Sequence, residues 1–486
     1  MIQGLSAIWP KRLPGWAPAF AFLLLFAVVG PVLGGAARPL FVIGCMAIGW
    51  QAWRQGPTTH VQATLFLFVF APFLRRIVDL SAGYEPAGIM LVGPLAAMVP
   101  PFLDIIAAID NREARRHMGP LLAVFVTVVY AALLTIFQGS WLDLARDGIK
   151  WLIPLFYGVV LMNSADADEV LDGLADAFCI ILPIAGIYGI VQYVDPQAWD
   201  RYWMENAPIL SIGEPVPYGV RVFSTMNSPA TFATYISIGL LLLWFRRRDW
   251  LIQILSIPAA LALFLSLFRT AWVSMAAAMM FCLLFRSTRS RTIPLIAGVI
   301  LATIVAATLT PFGDVITERL ATFGEGAQDS SAQERFLEYV TLWNAPMSTL
   351  IGVGFMTTDV GVAGAMAIDG MVIACWLSMG IIGGLMCLFG ICWAAGTVIY
   401  TAFRDRDETI VILAALALYF IVQLPLTGIT EGEAGFLFWT FVVLGLVPPK
   451  PQVMQYDGDL EDEDNFIGDD EGFYPYVESP ARRIGY

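Results

Sequence analysis

LLAVFVTVVYAALLTIF, residues 121–137, decides the fold class, because it is apolar on every side and has no charge to turn toward water. A strand crossing a membrane alternates apolar and polar residues over about 10 positions, whereas a helix uniform around its circumference is a buried or lipid-facing span. AFAFLLLFAVV (19–29) and IPLIAGVILATIVAATL (293–309) repeat the pattern. Across the chain 58% of residues are apolar and the mean hydropathy is +0.72, above the range of soluble domains. The expectation is an all-α polytopic membrane protein. About 30 Å of hydrocarbon needs roughly 20 helical residues. On that scale about fourteen spans are predicted, at 17–35, 38–53, 60–74, 86–108, 118–138, 149–163, 173–194, 229–245, 250–267, 270–285, 293–311, 371–400, 408–425 and 432–448. The third, sixth and last are short, so the count can fall by two.

Basic residues orient these spans. FRRRDW (245–250), FRSTRSR (285–291) and FRDRDE (403–408) each fall on a loop of one side when the N-terminus is cytoplasmic, as the positive-inside bias requires. An even count then places both termini in the cytoplasm. The Lys11-Arg12 pair before the first apolar run is read as the flank of an uncleaved first helix, not of a secretory signal. All six cysteines fall inside predicted helices at spacings unlike a metal site, so they read as small core residues and neither metal nor cofactor is expected.

Residues 1–450 therefore form a membrane domain and 451–486 an acidic tail. After residue 450 ten acids face two arginines, so −8 of the formal −13 lies in the tail and the membrane body is only mildly acidic. DGDLEDEDNFIGDDEG (457–472) has too little apolar surface to fold and would repel nucleic acid, which excludes that partner class. It reads as a solvating cytoplasmic segment, with Phe473, Tyr474 and Tyr476 as a rival docking motif for a cytoplasmic partner, such as a chain-length-control or export protein.

This topology leaves two sizeable outer loops, about 195–228 and 312–370. In the second, Ser331 and Glu334 have capping-box spacing, and Phe336, Val340 and Trp343 make one apolar stripe ended by Pro346 and Gly352-Val353-Gly354. An amphipathic helix lying on the membrane surface is expected, or a lid packed on the bundle. Seven cations stay outward against the positive-inside bias: Arg75, Arg76, Arg146, Lys150, Arg221, Arg269 and Arg335. Guanidinium forks suit phosphate oxygens, so several converging would hold a diphosphate. The plain alternative is that each reaches lipid headgroups or pairs with a loop acid.

Three stretches in order, GVRVFSTMNSPATFATYIS (219–237), FLSLFRTAWVSM (264–275) and QERFLEYVTLWNAP with LIGVGF (333–355), resemble the O-antigen ligase and polymerase superfamily. These multi-span glycosyltransferases act on undecaprenyl-diphosphate-linked glycans at the outer face of the bacterial inner membrane. The resemblance runs from Gly219 to Gly384 and more loosely to GFLFWTFVVLGL (435–446). It implies diphosphate-binding roles for Arg269 and Arg335, and a further substrate contact at Arg221 and Asn227. Arg146, Lys150 and Trp343 are added as substrate-binding candidates. The chain departs from the ligase branch at AIDGMVIACWLSMGIIGG (367–384), where Asp369 stands in place of the ligase histidine. The only histidines, His60 and His117, fall on the cytoplasmic side. This departure points to the polymerase branch, with a ligase or other glycan transferase as the alternative and a flippase for the same lipid-linked glycans as the rival class.

The chemistry needs an oriented acceptor hydroxyl, a base to take its proton, and charge to hold the leaving diphosphate. Asp369 is the first candidate base and Glu338 the second, with Glu214 and Asp329 also in reach of the role. Asp369 reads equally as the cap of the span starting at Met371, and Glu338 as an ion-pair partner of Arg335.

Overall fold

The computed structural model describes residues 14–207, 209–247, 249–309, 348–355 and 370–447, with Gly313 and Val340. Residues Met1–Pro449 make one compact unit; the acidic tail, like the predicted surface helix, lies outside the described residues. The first half contains α1 (Trp16–Leu33), α2 (Ala37–Trp53), α3 (Pro57–Ala82), α4 (Val92–Ala97), α5 (Ile105–Asp110), α6 (Arg112–His117), α7 (Gly119–Phe137), α8 (Trp141–Asp143), α9 (Ile149–Ser164), α10 (Ala167–Val194) and α11 (Ala198–Asn206). The second contains α12 (Pro229–Arg246), α13 (Trp250–Leu255), α14 (Ile257–Leu265), α15 (Arg269–Leu283), α16 (Arg286–Leu309), α17 (Ser348–Ile351), α18 (Met371–Asp405), α19 (Glu408–Gln423) and α20 (Gly432–Leu446).

The protein is all-α among the described residues, with a lone bridge between Gly213 and Val220 as its only β pairing there. Among the described residues, eight helical segments are long and apolar enough to cross a membrane, and four shorter apolar ones accompany them. Bare aliphatic surface on α1, α2, α16 and α18, such as Val28, Val32, Ile43, Leu301 and Ile382, makes no sense in water and fits a chain embedded in lipid. The interior is built on α3, α19 and α20, whose side chains are buried around most of their circumference.

Local chemistry explains where helices depart from the predicted spans. The third was expected to stop at 74 because Arg75 and Arg76 are charged, yet α3 continues to Ala82 since both arginines are buried in ion pairs. The fourth is broken into short pieces by Pro100 and Pro101, which lack the amide hydrogens a helix needs. The ninth divides at Ser256, just before Pro258. Helix α18 carries a break at Gly380, whose φ of 70° and ψ of 179° are not helical.

That break receives the LIGVGF turn. Val353 and Gly354 donate their amides to the carbonyls of Leu377 (2.9 Å) and Ser378 (3.0 Å), and the Phe355 amide donates to Thr135 Oγ1 at 2.7 Å. A side chain at Gly352 or Gly380 would collide with the facing backbone at about 2.5 Å or less, so glycine at both permits the approach. The LIGVGF turn is thereby tied to α18 and α7.

Two histidine and cysteine expectations resolve here. His60 is buried with both ring nitrogens engaged, by Tyr157 Oη at 2.8 Å and the Ala97 carbonyl at 2.9 Å, which is a structural role. Cys45, Cys282, Cys375 and Cys387 are core residues as expected, but Cys392 is exposed on α18 because its face of the helix looks outward.

Candidate functional site

One end of the bundle gathers the C-terminus of α3, the starts of α9, α12, α15, α18 and α20, and the segment 195–228. The turn 219–228 is its centrepiece. Its first part runs alongside two neighbours: the Arg221 amide donates to the Ile212 carbonyl at 2.9 Å and the Val222 amide to the Leu265 carbonyl at 3.1 Å. The chain then reverses at Ser224, whose φ of 49° lies in the left-handed region that non-glycine residues avoid. Ser228 ends the turn by capping α12, its hydroxyl oxygen accepting from the Thr231 amide at 3.1 Å.

A buried polar network holds this reversal. Arg76 lies beside Asp200 at 3.2 Å, both fully buried, and donates to the Met226 carbonyl at 2.8 Å and to the Ser224 carbonyl. Gln192 accepts from the Phe223 and Ser224 amides at 3.1 and 2.7 Å, and donates to Asp200 at 3.0 Å. Tyr188 donates to the same carboxylate at 2.6 Å and accepts from the Trp199 indole. The Arg76 guanidinium also stacks over Phe223, 4.9 Å from the ring centre. Arg76 and Asp200 thus fix the turn from α3 and α11, while Arg75 pairs with Asp79 at 3.3 Å, which Arg38 also grips at 2.9 Å. Arg75 and Arg76 are both structural ion-pair members, as the acid-pairing alternative has it.

The turn brings Arg221 toward Arg269. Arg221 Nη2 lies 3.4 Å from the Leu267 carbonyl, two residues before Arg269 opens α15. Leu267 has a φ of 55°, a second non-glycine residue in the left-handed region. A left-handed non-glycine residue thus lies within three positions of each arginine, and Asn227, three residues past Ser224, has its buried Oδ1 without a hydrogen-bond donor among the described residues. The candidate base Glu214 is exposed on the hairpin that leads into this turn.

A second cluster of groups sits at the entry to α9. Asp147, in a π-helical turn over Leu144–Gly148, is paired with Lys150 at 2.9 Å and with Arg146 at 3.3 Å. Although burial opposes its charge, these two cations hold its carboxyl below the ordinary carboxylate range. Arg146 and Lys150 are therefore found together, each beside an acid that the sequence reading passed over.

Two further acids join the clusters. Glu433, in the first turn of α20, accepts from Thr231 Oγ1 at 3.1 Å, while Tyr235 Oη donates to its backbone carbonyl at 2.8 Å. Glu431, which precedes α20, faces Lys150, Asp147, Glu433 and the Trp151 indole; burial pushes its carboxyl up to about 7. The E-G-E motif thus stands between the Asn227–Ser228–Thr231 segment and the Arg146–Lys150 cluster. In sequence these acids look like ordinary negative charge at a helix start, which is why they did not stand out.

Arg335, Glu338, Trp343, Asp369 and Asp329 lie outside the described residues. In the chain, α17 and the 352–355 turn come after Trp343 and before Asp369, and Gly370 directly follows Asp369; the Met371 amide donates to the Leu424 carbonyl at 3.0 Å. No protein-family model matches the chain, and no curated protein matches it.

Proposed function

We propose that this protein is a membrane glycosyltransferase that polymerises undecaprenyl-diphosphate-linked oligosaccharide repeats at the outer face of a bacterial inner membrane, with fourteen spans and both termini cytoplasmic. The observation that carries this reading is the meeting of two separated motifs: Arg221 reaches the carbonyl of Leu267, two residues before Arg269, with a left-handed non-glycine residue within three positions of each arginine. Two guanidinium groups on adjoining turns suit the oxygens of a diphosphate, and Arg335 from the second large loop is the third. Asn227, Lys150 and Arg146 are the further substrate contacts in this reading, and the sequence adds Trp343 to them.

Such a site acts by charge and position. The donor sugar leaves a diphosphate, on which negative charge grows as the bond breaks. Arginines fixed in a low-dielectric cleft stabilise that charge without rearranging. Holding the acceptor hydroxyl in line supplies the remaining advantage. The test is the lipid-linked species that accumulates when the gene is deleted. A single repeat unit on the outer leaflet supports a polymerase, a full-length unattached chain indicates a ligase, and trapping on the inner leaflet indicates a flippase.

A further inference from the structure

We propose that Glu431, with Glu433 as its partner carboxylate, is the group that takes the proton from the acceptor hydroxyl, the role that sequence reading gave to Asp369 or Glu338. This rests on the glycosyl-transfer reading above. Glu431 lies at the entry to α20, whose Gly435 packs close to Pro154 of α9, and it faces Trp151 and Lys150 of α9, whereas Glu433 two residues on is hydrogen-bonded by Thr231 at the start of α12. The two carboxylates therefore span the space between the Arg146–Lys150 cluster and the turn that carries Arg221 and Asn227.

The groups facing Glu431 decide how it titrates. Lys150, Asp147 and, through Asp147, Arg146 face it from the entry to α9, Glu433 from its own chain segment, Cys375 from α18 and Tyr235, by way of Glu433, from α12. Burial and the two neighbouring acids favour the neutral form, and Lys150 and the Trp151 indole favour the charged one. A base poised near neutrality has the driving force that proton abstraction needs. In the step, the Glu431 carboxylate takes the hydroxyl proton and the acceptor oxygen forms its bond to the anomeric carbon. The anomeric carbon–oxygen bond to the diphosphate breaks, and the lipid diphosphate leaves with that electron pair.

The experiment uses the full chain in vesicles with a lipid-diphosphate-linked repeat as donor, measuring elongation against pH and donor retention on the purified protein. Glu431→Gln should slow elongation by about 100- to 10,000-fold with donor retention within about twofold. Wild-type elongation should rise with pH through about 7, and Glu433→Gln should lower that midpoint by removing a neighbouring negative charge. Should Glu431→Gln fold poorly, Glu431→Asp carries the test, with a reduced rate and the same acid limb expected. Elongation within about threefold of wild type in Glu431→Gln or Glu431→Asp, or an unmoved midpoint in Glu433→Gln, overturns the assignment alone. Failure of the wild type to extend any lipid-diphosphate-linked glycan overturns the reading beneath it and the assignment together.

Discussion

Arg76 and Asp200 stand 3.2 Å apart with neither side chain reaching solvent, and between them they determine the shape of a turn 150 residues from Arg76 in the chain. A buried pair of this type contributes little by existing and costs much to break, because the survivor is left charged in an apolar interior. Arg76→Ala should therefore lower stability by about 3–5 kcal/mol, seen as a fall in the midpoint of thermal unfolding in detergent. Arg76→Lys should recover only part of this, since an ammonium cannot reach Asp200 and two carbonyls with one planar fork. A variant as stable as wild type would show that the turn is held by Gln192 and Tyr188 alone.

Gly352 and Gly380 face each other backbone to backbone, both with φ in the left-handed region. Gly380→Ala adds a methyl that would lie 2.3 Å from the Leu350 carbonyl oxygen, so α18 and the LIGVGF turn must separate. The expected effect is a loss of about 1–3 kcal/mol, together with faster proteolysis in the 348–355 segment. Unchanged cleavage kinetics would mean that the segment does not depend on this contact.

Arg269→Ala and Arg335→Ala should each slow elongation by roughly 30- to 150-fold, the equivalent of about 2–3 kcal/mol of lost charge-assisted bonding. Arg221→Ala should slow it less, because part of its role is to hold the Leu267 carbonyl. Polymer yield and length are the readout, at matched protein levels. Wild-type product from both variants would remove the diphosphate role.

How far these features can be read from sequence follows from the range of the interactions that make them. Uniform apolarity over 121–137 is a local property, and the helix found there, Gly119–Phe137, needed nothing else. The end of α3 could not be read locally: Arg75 and Arg76 look like a span boundary until Asp79 and Asp200 are placed beside them, and Asp200 is over a hundred residues away. The meeting of Arg221 with the Arg269 turn was suggested by motif order, yet its cause, the pairing of Val222 with Leu265, is a contact between segments. Glu431 and Glu433 were missed for the converse reason. Acids at a helix start are common, and only their position between α9 and α12 sets these two apart.

The opposite end of the bundle provides a contrasting case. Arg246 and Arg247, from one of the basic clusters that set the predicted orientation, pair with Asp168, Asp172 and Asp176 on α10, while Arg291 pairs with Glu408 on α19. The acids on α10 are about half exposed, so water and salt screen these contacts. Arg247→Gln should accordingly cost less than about 1 kcal/mol and leave elongation unchanged. Its small effect on the unfolding midpoint should shrink further as salt is raised from 50 mM to about 1 M, where the screening length falls to about 3 Å. The Arg76→Ala loss should persist at the same salt, because no ions enter that pocket. Equal salt sensitivity at the two ends would show that Asp200 is reached by water and that the turn is not held by a buried charge.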